Sequence, residues 1–382
     1  MAGGNDIRDN LKVPMALRVL YINCGDDQLA GSEVSLLGML DMLRPAGDAW
    51  VYCNSPVLAD AARARGAEAE VIPMAVLSPW GRLGRDLHEY RRAVAALRSV
   101  IRRVRPDLIH ANMLWANQLA VAAAVGTGTP VLCHVRAEVI RSGVELSLCR
   151  FAFGVLAASK YVAQAVERSI GTGRVDVFYD PVECDDPVEI PRTIEADPAV
   201  VVVSRLSKEK GVDRALELLA WLIRQGYRNG MVLIGDGAEM PNLRQQCLRL
   251  NLTDRVQFRG YQARPFAELP VSSVLLVPSR REGFGRVVIE AALRGIPALV
   301  CRTGGLPETV ASGEAGYILD DLESEESRRR ALGILRNTRS LRAMSEKAAA
   351  FARKEFGAAD RAQQLLSIYH QYSRTAGGHG DR

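Results

Sequence analysis

Glu282 and Glu290, with seven residues between them, lie in the stretch Ser279 to Ala292, S-R-R-E-G-F-G-R-V-V-I-E-A-A. A carboxylate accepts hydrogen bonds at two oxygens and so suits a vicinal diol, such as a ribose or a hexose. The apolar run Ser273 to Val277, closed by Pro278, precedes the stretch. A helix-like run, Val287 to Leu293, follows the glycines and ends at a turn marked by Gly295 and Pro297. The order is strand, glycine loop, helix. Gly283 and Gly285 lack a Cβ, so the backbone around Phe284 can bend tightly and let a ligand sit against its N–H groups. A helix starting right after such a loop aims unpaired N–H groups and a partial positive charge at the same spot, where phosphate settles. Phosphate plus diols describe a sugar nucleotide. On spacing alone, Glu290 reads equally as a helix-surface charge and the glycines as an ordinary turn.

Two cations point to the same chemistry. The apolar strand Ala199 to Ser204 runs into R-L-S-K-E-K-G, so Arg205 and Lys210 leave the carboxyl end of a buried strand. Open α/β sheets bind ligands at that edge. Cations there would neutralise a departing diphosphate and so stabilise the transition state; on a lysine-rich loop they also read as solvated charges. His134 closes the strand P-V-L-C-H, where a lone histidine also suits a structural role.

Beyond the residues themselves, E-G-F-G-x-x-x-x-E resembles the signature of family-4 retaining glycosyltransferases of the GT-B fold. R-L-x-x-x-K-G, over Arg205 to Gly211, resembles the phosphate-binding element of those enzymes, with Ser204 where a glycine is frequent. Ile234-Gly-Asp-Gly is similar to a structural loop of the family, and Thr303-Gly-Gly-Leu-Pro-Glu308 to its G-G-x-x-E turn. Val256 to Tyr261 resembles the segment that holds the nucleobase, which nominates Tyr261. Ala30-Gly-Ser-Glu33 resembles the G-G-x-E loop whose backbone meets donor phosphate and acceptor, with Ala30 in place of the first glycine and Gly31 kept. The family's histidine beside the donor sugar maps onto His134; its usual follower, glycine or aspartate, is Val135 here, and the N-G-V-D segment of many relatives reads Tyr179-Asp-Pro-Val182. The resemblance is dense over 200–319 and scattered over 17–182.

It implies transfer of a sugar from a UDP- or GDP-sugar, with retention, to a saccharide or lipid-linked acceptor hydroxyl. His134, Arg205, Lys210 and Glu282 would be catalytic, with Glu282 on the donor hydroxyls. Gly31, Tyr261, Gly283, Phe284, Gly285 and Glu290 would bind the donor, Glu290 at its ribose. The favoured route has the leaving diphosphate deprotonate the acceptor on the same face; a covalent route through Glu282 is the other. No D-x-D occurs, so neither metal nor cofactor is expected. Rival readings are a GT-B sugar-nucleotide epimerase or phosphorylase, and an inert sugar-nucleotide binder.

Such a site needs strands to hold it, and strands alternate with helical patterns along the chain. Strand patterns fall at Leu17–Asn23, Ala49–Cys53, Pro130–His134, Ala199–Ser204, Met231–Ile234 and Ala298–Val300, among others. Alternation of this kind implies α/β architecture with doubly wound parallel sheets. At 382 residues the chain suits two domains. The expected layout is an acceptor-side Rossmann-like domain over 1–183, facing across a cleft a nucleotide-sugar domain over 184–357. A final helix in 358–382 crosses back to the first, and an acidic, proline-punctuated linker lies around 183–197.

Composition narrows the class. A net charge of +5 gives no case for nucleic acid. Seven cysteines without a C-x-x-C exclude a zinc or disulfide framework and suit a cytoplasmic protein. The polar N-terminus carries no signal core, and no 18-residue apolar run occurs. Eight arginines between Arg82 and Arg105, just after Leu77-Ser-Pro-Trp80, nominate an anionic membrane surface as a docking partner; they also read as a solvated helix face.

Overall fold

The computed structural model describes residues 16–25, 29–72, 74–75, 83–136, 149–171, 175–182, 197–270 and 272–377. The chain divides into two compact units, Met1–Pro181 with Ala358–Arg382, and Val182–Gly357. Apart from Asp197, the stretch read as linker lies outside the described residues.

In the first unit, the elements run β1 (Leu17–Asn23), α1 (Gly31–Leu43), β2 (Gly47–Cys53), α2 (Pro56–Arg63), β3 (Glu68–Val71) and α3 (Leu83–Val104). They continue with β4 (Leu108–Ala111), α4 (Leu114–Ala124), β5 (Val131–Val135), β6 (Gly154–Ala157), α5 (Lys160–Ile170) and β7 (Val175–Val177). The described strands form one parallel sheet in the order β3-β2-β1-β4-β5-β6-β7. β1, β4, β5 and β6 are buried almost throughout, as expected of strands covered by helices on both faces. The order reverses between β1 and β4. Strands on either side of such a switch splay their following loops apart, which opens a place for ligand at their carboxyl ends.

The second unit repeats the plan with β8 (Val200–Val203), α6 (Val212–Arg224), β9 (Met231–Ile234), α7 (Met240–Arg249), β10 (Val256–Phe258) and β11 (Val274–Val277). After these come α8 (Arg286–Leu293), β12 (Ala298–Cys301), α9 (Leu306–Thr309), β13 (Tyr317–Leu319), α10 (Glu325–Arg336) and α11 (Thr338–Phe356). Its parallel sheet is ordered β10-β9-β8-β11-β12-β13, with the switch between β8 and β11. Arg205 follows β8 and Ser279 to Gly285 follow β11, so the two motifs that stand 70-odd positions apart are brought to one edge.

The final helix, α12 (Ala358–Gly377), belongs to the first unit. Leu365, Tyr369 and Tyr372 are buried there. The Tyr372 ring occupies the space a side chain at Gly154 would need, and its hydroxyl donates to Asp176 at 2.6 Å. Gln364 donates to the Val177 carbonyl at 3.0 Å. Both domains are therefore Rossmann-like, and the helix does cross back.

Four helices and a strand have no counterpart in the sequence pattern: α9 falls in a stretch that reads as a turn. α4 is apolar nearly all round, which hides its period; α10 and α11 are arginine-rich and β13 has only three residues. On α3, Leu97, Ile101 and Val104, spaced at helical intervals, are buried, while Leu87 is 40% exposed.

Candidate active site

The second unit assembles its site from two loops. After β8, Lys208–Lys210 make one turn of 3-10 helix that Gly211 ends in the left-handed conformation, φ 65°. A side chain at Gly211 would also run into the carbonyl of Pro278, so the position requires glycine twice over. The loop after β11 is stitched to this one. Arg280 N–H donates to the Glu209 carbonyl at 2.8 Å, and its guanidinium grips Asp213 with two bonds of 2.6 and 2.7 Å. That bidentate pair holds the Asp213 carboxyl below its ordinary range, chiefly through the hydrogen bond. Arg214 donates to the Pro278 carbonyl from the other side.

These braces bring Lys210 and Glu282 together. Nζ donates to Oε2 at 2.7 Å, with the side chains 22% and 14% exposed. Ser279 Oγ lies 3.4 Å from the same oxygen, and Oε1 of Glu282 has no hydrogen bond among the described residues. Arg205 is exposed at the carboxyl end of β8, and its side chain has no ion pair or hydrogen bond among the described residues. The two sequence-nominated cations therefore differ: Lys210 is committed to a carboxylate and Arg205 is not.

Gly285 caps α8 in the left-handed conformation, φ 98°, and itself brings no side chain to the first turn. Gly283 is buried. Phe284 is 4% exposed and its ring packs 5.6 Å from that of Phe356, so its side chain is taken up by the core. Glu290 meets Arg286 one turn earlier at 3.1 Å, with 29% of its side chain exposed. Tyr261 is 59% exposed beyond β10. The remaining motifs are supports. Gly305 N–H bonds the Glu282 carbonyl at 3.2 Å, and the Ile234-Gly-Asp-Gly loop bonds Leu206, next to Arg205, through Asp236 and Glu239 at 2.8 and 3.0 Å.

The first unit builds differently. Gly31 opens α1, and a side chain there would meet nothing of the protein, so the fold itself does not require the glycine. Ala30, before it, has an extended conformation open to any residue. Glu33 is buried and accepts from Asn23 Nδ2 at 3.1 Å and Ser32 Oγ at 2.8 Å. Asn112 donates to Asn23 Oδ1 at 2.7 Å and accepts from Arg136 at 2.8 Å. Arg136 also donates to Asp180 at 2.5 Å and approaches His134 Nδ1 at 2.9 Å. His134 is wholly buried, and its Nδ1 lies 3.2 Å from His110 Nε2. His110 Nδ1 stands 2.7 Å from the Tyr369 hydroxyl, itself 3.0 Å from the Tyr21 hydroxyl. Burial first, then the Arg136 charge, pushes both imidazoles well below their ordinary pKa.

Of this network only His134 and, as loop positions, Gly31 and Glu33 stand out in the sequence. Arg136, His110, Asp180 and Tyr369 come from separate elements and share no spacing rule. Asn23 and Asn112, polar residues directly at strand ends, are the one signal that sequence offers.

A family model described as "Glycosyl transferases group 1" matches residues 189–351, and one described as "Glycosyl transferase 4-like domain" matches 30–179. The chain is 28% identical over 180 residues to N-acetyl-alpha-D-glucosaminyl L-malate synthase of Bacillus anthracis, covering 47% of each. Identity is 35% over 182 residues with D-inositol 3-phosphate glycosyltransferase of Corynebacterium glutamicum, covering 45% of this chain and 43% of that one. The chain spans about half the length of the curated relatives it matches. In fold, it is similar to Anabaena Alr3699/HepE, solved with UDP and glucose, at a TM-score of 0.74 and 23% identity over 93% of this chain and all of that one. Sucrose-phosphate synthase of Thermosynechococcus elongatus gives a TM-score of 0.75 and 19% identity, covering 93% and 98% of the two chains.

Proposed function

Because the chain belongs to the family-4 glycosyltransferases of the GT-B fold, we propose that it moves a sugar, with retention, from a UDP- or GDP-sugar to an acceptor hydroxyl. The observation that carries the reading is the Lys210–Glu282 pair at the sheet switch, beside the exposed Arg205 and the glycine-capped start of α8. A lone carboxylate there would repel a diphosphate; paired to Lys210, Glu282 can accept from sugar hydroxyls without net repulsion. The backbone N–H groups from Gly283 to Gly285 meet the phosphates, and Glu290 accepts from the ribose. Tyr261 flanks the base.

In the step itself, the bond from the anomeric carbon to the diphosphate oxygen breaks. Arg205 and Lys210 offset the charge that gathers on the leaving group. That oxygen then takes the acceptor's proton as the acceptor oxygen bonds the same face of the carbon. From the first unit, His134 donates a hydrogen bond to a substrate oxygen and Gly31 offers its backbone. No metal takes part, and the acceptor is a saccharide or lipid-linked hydroxyl met at an anionic membrane surface on the cytoplasmic side.

Support for the membrane contact is uneven along α3. Arg98 is spent on the Ala122 and Ala123 carbonyls at 2.9 and 3.2 Å, and Arg103 pairs with Glu70. Arg91, Arg92, Arg102 and Arg105 are exposed. Leu77 to Trp80, together with Arg82 and the side chain of Arg85, lie outside the described residues.

A thermal-shift screen of UDP- and GDP-sugars tests the proposal, since a ligand that binds the folded state alone raises its melting temperature. One nucleotide class should do so, and incubation with acceptor should release its diphosphate, with or without EDTA. A full panel that neither shifts melting nor loses sugar would overturn it.

A further inference from the structure

His134 meets three polar neighbours, and they are not equivalent. Arg136 Nη2, 2.9 Å from Nδ1, belongs to a guanidinium that can only donate. Nδ1 must therefore carry a lone pair. His110 Nε2, 3.2 Å from that same lone pair, must donate as well, which leaves His110 Nδ1 bare. The bare nitrogen is met at 2.7 Å by the Tyr369 hydroxyl, whose single proton must turn to it, so that the 3.0 Å contact with the Tyr21 hydroxyl becomes one that Tyr369 accepts. Protons thus point one way, from α12 through His110 to His134. Arg136 is itself fixed by Asp180 at 2.5 Å and by the side chain and carbonyl of Asn112 at 2.8 and 3.1 Å.

The end of this line is His134 Nε2. It is wholly buried and has no hydrogen-bond partner among the described residues; Asp180 Oδ1, the nearest acceptor, is 3.9 Å away and already engaged by Arg136. A buried donor left unpaired inside so fully bonded a cluster points to a ligand oxygen.

Resting on the reading of His134 as a donor to substrate, we propose that Tyr369, His110 and Arg136 are positioning residues that hold the His134 ring as its Nε2–H tautomer. The ring then serves the reaction as a neutral donor and not as a base. The returning helix α12 thereby has a part in the chemistry beyond packing. Both rings stay neutral because burial and the Arg136 charge disfavour a second proton. The remaining groups that face the pair are Tyr21 from β1, Asp180 after β7 and the Phe178 ring, 6.2 Å from that of His134.

The test is two-bond proton–nitrogen NMR on the full chain labelled with 15N-histidine, its signals assigned with His110→Gln and His134→Gln. Both rings should carry their proton on Nε2 and stay neutral from pH 8 to pH 6. In Tyr369→Phe, His110 loses its donor and should take up a proton about one pH unit higher than in the wild type. Its diphosphate release should fall in kcat with the donor KM unchanged, and the acid limb of its pH profile should rise by the same amount. His134→Gln, whose amide N–H replaces Nε2–H, should keep turnover within about tenfold, while His134→Asn should lose roughly 100-fold. A wild-type His134 ring protonated on Nδ1 overturns the proposal even if Tyr369→Phe fails to fold. An Nε2–H ring in a protein that consumes no UDP- or GDP-sugar sinks the transferase reading and leaves the tautomer assignment standing.

Discussion

The two units place their polar residues at the same topological position, the sheet switch, and hold them in opposite ways. In the second unit, Lys210, Glu282, Arg286 and Glu290 form partly exposed ion pairs, oriented by backbone bonds between two loops. In the first, Glu33, Asn23, Asn112, Arg136, His134, His110 and Tyr369 form a buried lattice of side-chain bonds with almost no exposure. The open arrangement suits a charged ligand that brings its own counter-charges. The closed one suits the fixing of a single donor atom, because each buried group left unpaired would be costly.

The largest effect expected from breaking this contrast is in the open site. Lys210→Ala leaves Glu282 without its cation and, on the proposed mechanism, removes a charge that faces the leaving diphosphate. Turnover should fall by roughly 100- to 1,000-fold, the range for loss of one preorganised donor, with a smaller rise in the donor KM. Steady-state assay of diphosphate release measures both. Equal loss in KM alone would place Lys210 in ground-state binding instead.

Acid should distinguish the closed network. His110 and His134 have folded pKa values below the unfolded value of about 6.5. Their neutral burial therefore contributes stability in full above that pH, and it is lost as pH falls, because the unfolded chain binds protons the folded one refuses. Two such groups cost up to about 2.7 kcal/mol per pH unit below 6.5. Urea denaturation between pH 6.5 and pH 5 should show this slope, and His110→Gln with His134→Gln should flatten it. A slope unchanged by the double replacement would mean that other groups carry the acid sensitivity.

The same contrast explains what could be read from the chain. Glu282, Gly285 and Glu290 lie within nine consecutive residues, and Arg205 to Gly211 within seven. Local spacing encodes both loops, so the fold and the candidate site could be read together from apolar runs broken by glycine. The partners of those residues did not. Nothing in E-G-F-G says that Glu282 meets Lys210, 72 positions away, or that Phe284 turns inward onto Phe356. The closed network is further out of reach: Tyr369 and His110 are 259 positions apart, and Tyr369 and Tyr21 348. Only tertiary folding brings them together, and tyrosine on an amphipathic helix looks like any core residue.

A smaller effect should follow at the nucleotide half of the open site. On the proposed role of Glu290, Glu290→Ala removes a charge-assisted contact to the ribose worth about 1.5–3 kcal/mol. Affinity should drop roughly 10- to 150-fold for the donor and for free nucleoside diphosphate alike, measured by calorimetry. Because Arg286 already holds Glu290, Arg286→Met is the companion test: it frees the carboxylate and should weaken binding less than the loss of Glu290 does. Unchanged nucleotide affinity in Glu290→Ala would reduce the residue to a helix-surface ion pair.

The weakest expected effect belongs to the arginine face of α3, where neither manner of holding applies. Arg91, Arg92, Arg102 and Arg105 are exposed, whereas Arg98 and Arg103 already have partners within the unit. A basic residue near an anionic leaflet gains about 1 kcal/mol, so the four together would give reversible attachment at most. The protein should sediment with phosphatidylserine-containing vesicles and not with phosphatidylcholine alone, and less so as salt shortens the screening length below about 10 Å. Arg91→Glu with Arg102→Glu should abolish sedimentation and leave the melting temperature unchanged. Arg98→Glu should behave in the opposite way, because it removes two bonds to the end of α4 and so costs stability before it costs binding. Equal recovery of wild type and the double variant in the supernatant would leave these arginines as a solvated helix face.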